Sequence, residues 1–443
     1  MEQPGMDGSI VLEMILEKLE PRDVAAVVCV SPRMRACASD DSLWRRFCAR
    51  DFGVSSPVGP DGEPCPSFIV TYRLWIESFG MYPLALVKRT KQLWDGIRSW
   101  LAVNFPEAKD TLRKGVSEAE LNRVEELLVL KLPMATRLLY RFCEGQKTQA
   151  QDVSTHKRLA PLGLIGGYQF YDHVVNVHLL PLNRVVEDTL DFVRLPGFPD
   201  NAKRIVVAAS YYYEKWYFLD CGDGQLYVGT RNVSVNAETI PCVPQALIRP
   251  WVDANCDVVQ DGFLLWLEEH FRRLQSGMIR VRKFMDSRAI NLYPELPPSC
   301  SVAITNGVKV RASALLIPEL SGFEGGAEKY YFSYSIRMSL QPRGCLLDGR
   351  YYESCQLYSR HWIIRSKDVV VGNVNARAVI GKYPRLFPNE EEFVYESCTP
   401  LPEEPGSIEG AFKFVPGRLE MPDARQFDVQ VARFKLEVPE YVF

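Results

Sequence analysis

Residues 40–53, "DDSLWRRFCARDFG", decide the fold of the N-terminal part of the chain. Two aspartates precede an apolar cluster, Leu43, Trp44 and Phe47, whose spacing is helical. An aspartate at this place caps a helix, because its carboxylate accepts hydrogen bonds from the unpaired N–H groups of the first turn. The stretch therefore predicts a short helix that begins after Asp40 or Asp41 and carries more apolar surface than so small an element can bury alone.

Two further short helices are predicted upstream. The pattern "IVLEMILEKL", residues 10–19, places apolar side chains on one helical face. Pro21 suits the start of a second helix, Val24 to Val30, which ends before "SP". Three helices in about 45 residues bury little surface, so we expect this unit to complete its core against a partner.

Composition describes an ordinary globular chain. Its 443 residues suggest two to four domains, and 47% are hydrophobic. The formal charge of -3 gives no sign of nucleic-acid binding. No apolar run reaches the ~18 residues that span a bilayer, and the N-terminus lacks a basic signal-peptide region. We therefore expect no membrane partner and a place in the cytoplasm or nucleus.

Pro-, Gly- and Ser-rich segments divide the chain. Residues 54–67 are the clearest linker, and residues 291–300 a weaker one. After a helical connector over 68–100, the middle part combines helices with strands. Ser117 and Glu120 form a predicted capping box, Asp223-Gly224 joins a predicted hairpin, and Asp261 caps a predicted helix. This part is expected to be an α+β domain.

The C-terminal part reads as an all-β domain. Five segments alternate polar and apolar residues, and no helical segment of comparable length interrupts them: "KYYFSYSIRMSL", "CQLYSRHWII", "EEFVYESCT", "GAFKFV" and "FDVQVARFKLEV". A β-sandwich of two sheets is the expected fold.

No catalytic or cofactor motif emerges from the sequence. The five histidines show no metal-binding spacing, and the 12 cysteines are scattered and expected to be free thiols, without a metal site. The glycine stretch "CGDGQLYVG" is interpreted as a hairpin, and "GLIGGYQF" as a loop between strands. The paired acids at 125–126, 268–269 and 390–392 are interpreted as solvated surface residues. The basic run Lys88, Arg89 and Lys91 is interpreted as part of a helix surface. No cofactor is expected.

Residues 8–53 resemble an F-box. The matching positions include Leu19, Pro21, Asp23, Val28, Cys29, Arg35, Asp41, Leu43, Trp44 and Arg45. The usual Leu-Pro opening is missing near Ile10, and Met34 stands where a tryptophan is frequent. The resemblance implies that the segment docks on a Skp-family adaptor through eight apolar residues: Val11, Leu12, Ile15, Pro21, Val24, Val28, Leu43 and Trp44.

Two later segments also resemble known domains. Residues 101–277 are similar to a SUKH domain through Ser117, Glu120, Leu121, Glu125, Leu132, Pro133, Tyr140 and Gly145. Residues 290–440 are similar to the ApaG domain, a fibronectin-like sandwich, through the strands quoted above together with "VIGKYP" and "GSIEGAFKF". A GxGxxG motif common in bacterial ApaG proteins is replaced by "ARAVIG" at 376–381, so no nucleotide role is expected.

The order F-box, SUKH, ApaG resembles the F-box-only-protein-3 group, and the end at "PEYVF", without an acidic tail, favours the plant Skp-interacting-partner type. The resemblance implies a non-catalytic substrate-recognition subunit of an SCF-type ubiquitin ligase. It would bind the Skp-family adaptor and, through it, cullin, and hold an unknown target on the SUKH or ApaG domain for ubiquitination and proteasomal degradation. Two alternatives stay open: a protein-binding scaffold that acts without ubiquitin transfer, and an enzyme of unknown type.

Overall fold

The computed structural model describes residues 12, 14–147, 162–171, 173–195, 203–231, 233, 238–250, 258–284, 287–322 and 330–443. The chain separates into two compact units. Of the described residues, the first unit contains those up to Ile97 together with Val258 and Val259, and the second contains the others from Arg98 onward. Among the described residues no helix is long and apolar enough to span a membrane.

The first unit is helical. Residues 12 and 14–16 are helical, and four helices and a π-helical turn follow before α5: α1 (Pro21–Val27), α2 (Pro32–Ala38), α3 (Asp41–Phe47), the turn at Cys48–Phe52, α4 (Phe68–Phe79) and α5 (Leu84–Asn104). The predicted cap of α3 is Asp40, whose carboxylate accepts the Ser42 amide hydrogen at 2.7 Å.

Helix α1 differs in extent from the predicted Val24–Val30. It starts at Pro21, whose fixed φ suits a first helical turn. It ends at Val27, three residues earlier than expected, and residues 28–30 form a turn before Ser31, which is extended (φ -157°, ψ 159°) ahead of Pro32.

The segment predicted as a linker, residues 54–67, forms an ordered loop inside the first unit. The Gly59 amide donates to the Glu63 carbonyl and the Cys65 amide to the Pro57 carbonyl, each at 2.8 Å. The indole N–H of Trp75 on α4 donates to the Val58 carbonyl at 3.0 Å. The boundary between the compact units lies further along the chain, and the domain limits predicted from the sequence stay predictions.

The second unit contains a sheet of eight strands in the order β6-β5-β4-β3-β2-β1-β8-β7, antiparallel except for β1 and β8. Its helices and strands are α6 (Pro106–Lys109), α7 (Glu118–Leu128), α8 (Met134–Phe142), β1 (Gly166–Phe170), β2 (His173–Leu179), α9 (Leu182–Val193), β3 (Arg204–Ser210), β4 (Lys215–Asp220), β5 (Leu226–Thr230), β6 (Thr239–Pro241), a 3-10 turn (Gln245–Leu247), α10 (Gly262–Ser276), β7 (Arg280–Phe284) and β8 (Ser287–Asn291).

The local signals of the middle part are confirmed. Ser117 and Glu120 exchange both hydrogen bonds of the capping box at the start of α7, and Asp261 caps α10. The strands β4 and β5 pair as the hairpin predicted around Asp223-Gly224.

Two expectations for this part were wrong. "GLIGGYQF" contains strand β1, and Gly167 lies so close to β2 that a Cβ atom there would meet the Val175 carbonyl oxygen at 1.7 Å. Because glycine has no side chain, these residues remove the alternation of polar and apolar side chains that would identify a strand in the sequence. Glu125 is not solvated but 4% exposed, because it pairs with Lys131 and Arg137 and accepts the Leu132 amide.

The C-terminal strands form the predicted sandwich, with sheets β17-β11-β10-β9 and β15-β14-β18-β19. The strands are β9 (Cys300–Thr305), β10 (Val308–Leu316), β11 (Tyr330–Leu340), β12 (Cys345–Leu347), β13 (Arg350–Tyr352), β14 (Cys355–Ser366), β15 (Val369–Arg377), β16 (Arg385–Leu386), β17 (Phe393–Leu401), β18 (Gly406–Pro416) and β19 (Phe427–Leu436). Tyr334 on β11 of one sheet contacts Trp362 and Phe434 of the other sheet within one buried core. The five predicted strands are present.

The chain end packs against the middle part of the same unit. Phe443 stacks on Trp266 at 5.3 Å between ring centroids, and the Trp266 indole donates to the Val442 carbonyl at 2.8 Å. The fully buried Lys215 donates to the Phe443 carbonyl oxygen at 2.9 Å. The sandwich and the eight-stranded sheet therefore share a buried contact region.

Candidate functional site

The residues predicted to contact a partner fall into two groups in the first unit. Pro21, Val24, Leu43 and Trp44 are buried, and the exposure of the Val24 side chain is 0%. Leu12 and Val28 are half-buried and Ile15 is 52% exposed, whereas Val11 lies outside the described residues.

Trp44 lies at the centre of an aromatic core. Its ring meets Phe47 and Tyr72 edge to face, at 5.6 and 5.3 Å between centroids. Phe52 contacts both Tyr72 and Trp75, which extends the core along α4. Edge-to-face pairs of this kind stabilise a fold beyond simple burial of area, by about 1 kcal/mol each. The indole of Trp44 therefore holds α3 against α4.

A buried acid fixes the turn that follows α3. Asp51 accepts a hydrogen bond from the Tyr72 hydroxyl at 2.9 Å and one from Arg50 at 2.6 Å. Burial, followed by the hydrogen bond to Asp51, raises the pKa of Tyr72 far above its usual range. Burial likewise raises the pKa of the Cys48 thiol to about 12, so it is a protonated core group and not a nucleophile. These buried groups therefore stabilise the fold of the first unit.

Apolar side chains on the outside of the first unit are the remaining candidates for binding. Met14 and Ile15 are 51% and 52% exposed, and Val30, after α1, is 67% exposed. Sequence periodicity assigns Ile15 to the apolar face but gives no reason to select Met14 or Val30. A set of exposed apolar residues on a small helical unit is typical of an interaction surface.

The basic run Lys88, Arg89 and Lys91 lies on α5, where Lys91 forms an ion pair with Asp95 at 2.6 Å. Lys88 donates to the Arg50 carbonyl at 3.0 Å. These contacts agree with the predicted helix surface.

The described histidines lie at separate places in the second unit. Burial lowers the pKa of His178 and of His270 to about 4, so both are neutral at pH 7. His361 contacts Asn373 at 2.8 Å, while His173 meets the carboxylate of Glu214 at 2.8 Å with nearly half of its side chain exposed. His156 lies outside the described residues.

Two clefts in the described part have neither a histidine nor a cysteine in their lining. One, of about 880 Å³, lies along β7, and the other, of about 540 Å³, lies beside β16 and β17. Within the described ranges no three His, Cys, Asp or Glu side chains group as metal ligands, and the cysteines there are free thiols.

Comparisons with known proteins match both ends of the chain. An F-box-like family model matches residues 10–50, and the ApaG domain model matches residues 322–416. F-box protein SKIP16 of Arabidopsis thaliana is 51% identical over 98% of this chain and 99% of its own length. F-box only protein 3 of Homo sapiens is 26% identical over 97% of this chain and 82% of its own. Protein ApaG of Nitrosomonas europaea is 34% identical over 30% of this chain and 91% of its own length.

The matched ranges correspond to structural parts already described. Residues 10–50 cover α1 to α3, with the Trp44 core, and residues 322–416 cover β11 to β18 of the sandwich. The SUKH resemblance of the middle part stays a prediction. The helical first unit, the C-terminal ApaG domain and the near full-length similarity to SKIP16 together place this chain in the family of F-box proteins that carry a C-terminal ApaG domain.

Proposed function

We propose that the chain is the substrate-recognition subunit of an SCF-type ubiquitin ligase. Its F-box docks on a Skp-family adaptor, which links it to cullin, and its SUKH-like or ApaG domain holds a target protein for ubiquitination and degradation. The observation that carries the proposal is the F-box match at residues 10–50 on a helical unit that exposes Met14, Ile15 and Val30. The 51% identity to F-box protein SKIP16 supports it.

The proposed role needs no catalytic group in this chain. A recognition subunit contributes proximity and orientation, because it holds the target near a ubiquitin-loaded enzyme bound elsewhere in the complex. Burial keeps His178 and His270 neutral and the Cys48 thiol protonated at pH 7, and the proposal gives all three structural roles.

The eight predicted adaptor-binding residues have different tasks in this proposal. Leu12, Ile15 and Val28 contact the adaptor together with Val11. The buried residues Pro21, Val24, Leu43 and Trp44 keep the helices in place, so they support binding without offering much surface of their own.

Capture of a purified Skp-family adaptor by the full-length chain tests the proposal. Ile15→Asp places a charge on the surface proposed to be buried, and we expect it to weaken capture by about tenfold or more, because an unpaired buried charge is costly. The matched control is Ile304→Asp on β9, where the isoleucine is 54% exposed. We expect this control to bind like the unaltered chain.

Failure of the unaltered chain to bind any Skp-family adaptor would overturn the proposal. An assay of ubiquitin transfer then distinguishes an active ligase subunit from a scaffold. A complex reconstituted with cullin and the chain should ubiquitinate proteins that the chain captures, and the Ile15→Asp variant should lose this activity together with adaptor binding.

A further inference from the structure

Strand β7 lines the cleft of about 880 Å³ with four consecutive residues, Arg280 to Lys283. The rest of the lining comes from the end of α5, from α6, from the end of α10 and from the start of β8. In the described part of the sheet β7 is the last strand and pairs only with β8. The backbone on its other side is therefore available to an added strand.

The charge of the cleft is predominantly positive. Its lining carries four cationic side chains and one carboxylate: Arg280, Arg282, Lys283, Arg288 and Glu107. Glu107 forms an ion pair with Arg288 at 2.7 Å, which neutralises both. The other three cations have no carboxylate of their own in the lining.

A buried acid next to β7 offsets only part of this excess of positive charge. Glu295, 2% exposed, binds Arg282 through two hydrogen bonds and is shared with Arg311 and Arg337. Arg280 lies 4.0 Å from the same carboxylate, and 53% of its side chain is exposed.

Lys283 is exposed and no carboxylate of the described residues lies within ion-pair distance of it. Arg280 and Lys283 are therefore the cations of this cleft that an acidic ligand can reach.

Apolar surface lies between these charges. Leu274 and Ile279 are buried below the cleft, and Trp100 and Val281 are half-exposed at its walls. A cleft that combines an open strand edge, apolar side chains and positive charge matches an extended peptide that carries both acidic and apolar residues. Arg280 and Lys283 are three residues apart on β7 and project on opposite faces, so the acidic residues of such a peptide lie on both of its faces.

We propose that this cleft binds an acidic, extended segment of a target protein, which adds as a strand to the free edge of β7. Carboxylates of the segment pair with Arg280 and Lys283, and an apolar side chain packs against Trp100. The inference deepens the proposed function and rests on it for the identity of the ligand as a target. A polyanion such as RNA fits less well, because it has no backbone donors and acceptors spaced to pair with a strand.

Fluorescence anisotropy with the full-length chain, in the absence of any adaptor, tests the inference. The probe is a short fluorescein-labelled peptide in which pairs of adjacent glutamates, one for each face of the strand, are separated by valines and one central phenylalanine. The variant Arg280→Glu/Lys283→Glu reverses both reachable charges, and we expect its affinity to fall by about tenfold or more. Raising the salt concentration should weaken binding of the unaltered chain.

Arg343→Glu/Lys114→Glu is the matched control, since both side chains are exposed and neither lines the cleft. We expect it to change the affinity by less than about twofold, in line with rim charges that lie outside an interface. A lysine-for-glutamate version of the peptide should not bind.

A second probe tests the added strand itself. Methylation of alternate backbone nitrogens removes the donors that would pair with β7, and we expect such a peptide to lose binding although its charge is unchanged. Equal affinity for the charge-reversed variant, for the methylated peptide, or for a single-stranded RNA of the same charge would overturn the inference. Because no adaptor is present, these results are independent of whether the F-box binds one.

Discussion

The indole N–H of Trp44 donates a hydrogen bond to the main-chain carbonyl of Ala38 at 2.7 Å, in the buried core of the first unit. Ala38 is the last residue of α2, where carbonyl groups lack partners within the helix. One side chain on α3 therefore both fills the core and provides a hydrogen-bond donor for the last carbonyl of α2. The tryptophan of the F-box segment is thus a structural link between two helices.

We expect Trp44→Ala to lower the free energy of unfolding of the first unit by about 3–5 kcal/mol, because it leaves a large cavity and an unsatisfied carbonyl. Adaptor capture should fall as the unit unfolds, while residues 101–443 stay folded. Circular dichroism and adaptor capture on the same protein measure both effects. Trp44→Phe, which keeps a ring but removes the hydrogen bond, should cost less. An unchanged unfolding transition in Trp44→Ala would contradict the assignment.

Glu125 should contribute to stability in a pH-dependent way. Burial by itself would raise the pKa of Glu125, but hydrogen bonds from Lys131, the Leu132 amide and Arg137 outweigh it and lower the pKa. The contribution is then fully present above the unfolded pKa of about 4.3 and is lost as the pH falls through the lower, folded pKa. Glu125→Gln should cost about 2 kcal/mol at pH 7 and flatten the acid side of the stability profile.

The control for this prediction is Glu126→Gln, since the adjacent side chain is exposed. Its effect should stay within about 0.5 kcal/mol. Urea unfolding between pH 3 and 7, about the range over which glutamates titrate, is the measurement. Equal losses of unfolding free energy in the two variants would show that the hydrogen bonds and ion pairs of buried Glu125 do not stabilise the fold.

Lys215 and Glu319 should be energetically coupled. Both are buried, their charged atoms lie 3.5 Å apart, and the Tyr168 hydroxyl contacts both side chains. Lys215→Met and Glu319→Gln should each cost about 3–5 kcal/mol, since each leaves its partner charge buried and unpaired. The double variant should cost clearly less than the sum of the two.

Denaturant unfolding of the second unit measures this cycle. The exposed pair Lys413–Asp428, with N–O separation of 2.8 Å, offers the comparison, because surface ion pairs contribute about 0–1 kcal/mol. Strict additivity at Lys215 and Glu319 would mean that the two charges do not act on each other.

Strand β15 should limit the solubility of the chain. It is the end strand of its sheet in the described structure, and Val369, Val370 and Val371 are 67%, 47% and 46% exposed. An apolar strand edge of this kind pairs readily with another chain. We expect Val369→Lys/Val371→Lys to reduce self-association at high concentration and to leave the unfolding temperature almost unchanged.

Sedimentation velocity over a range of concentrations checks this prediction. Val103→Lys/Leu127→Lys adds the same charge at exposed apolar positions on helices and controls for net charge. The prediction fails if both double variants reduce self-association equally.

Local chemistry explains which parts of this structure could be predicted. Asp40, the Ser117–Glu120 box and Asp261 cap helices by hydrogen bonds to residues two or three positions away, so the sequence alone locates those helix starts. The period-two pattern likewise located the five predicted strands of the sandwich. The order of the strands in each sheet has no such local signal, and β1 was missed because its glycines carry no side chain to alternate.

Whether an individual side chain belongs to the core or to the surface depended on the tertiary structure. Leu43 and Trp44 could belong to an exposed binding surface or to a core, and only the packing of α3 on α4, where Trp44 meets Tyr72, makes them core residues. Ile15, in the apolar pattern of residues 10–19, stays exposed. A periodic pattern identifies a face of a helix, but it does not say whether that face meets the same chain or another one.

The sequence already specified three parts: a helical F-box, a mixed α and β middle part and an all-β ApaG domain. It did so through caps, turns and periodicity that act over a few residues. Only the tertiary structure placed Phe443 on Trp266, buried the carboxylate of Glu125 and lined one cleft with Arg280 and Lys283. Contacts between residues far apart in the chain form because folding buries apolar area as a whole, and no local pattern specifies which distant groups then meet.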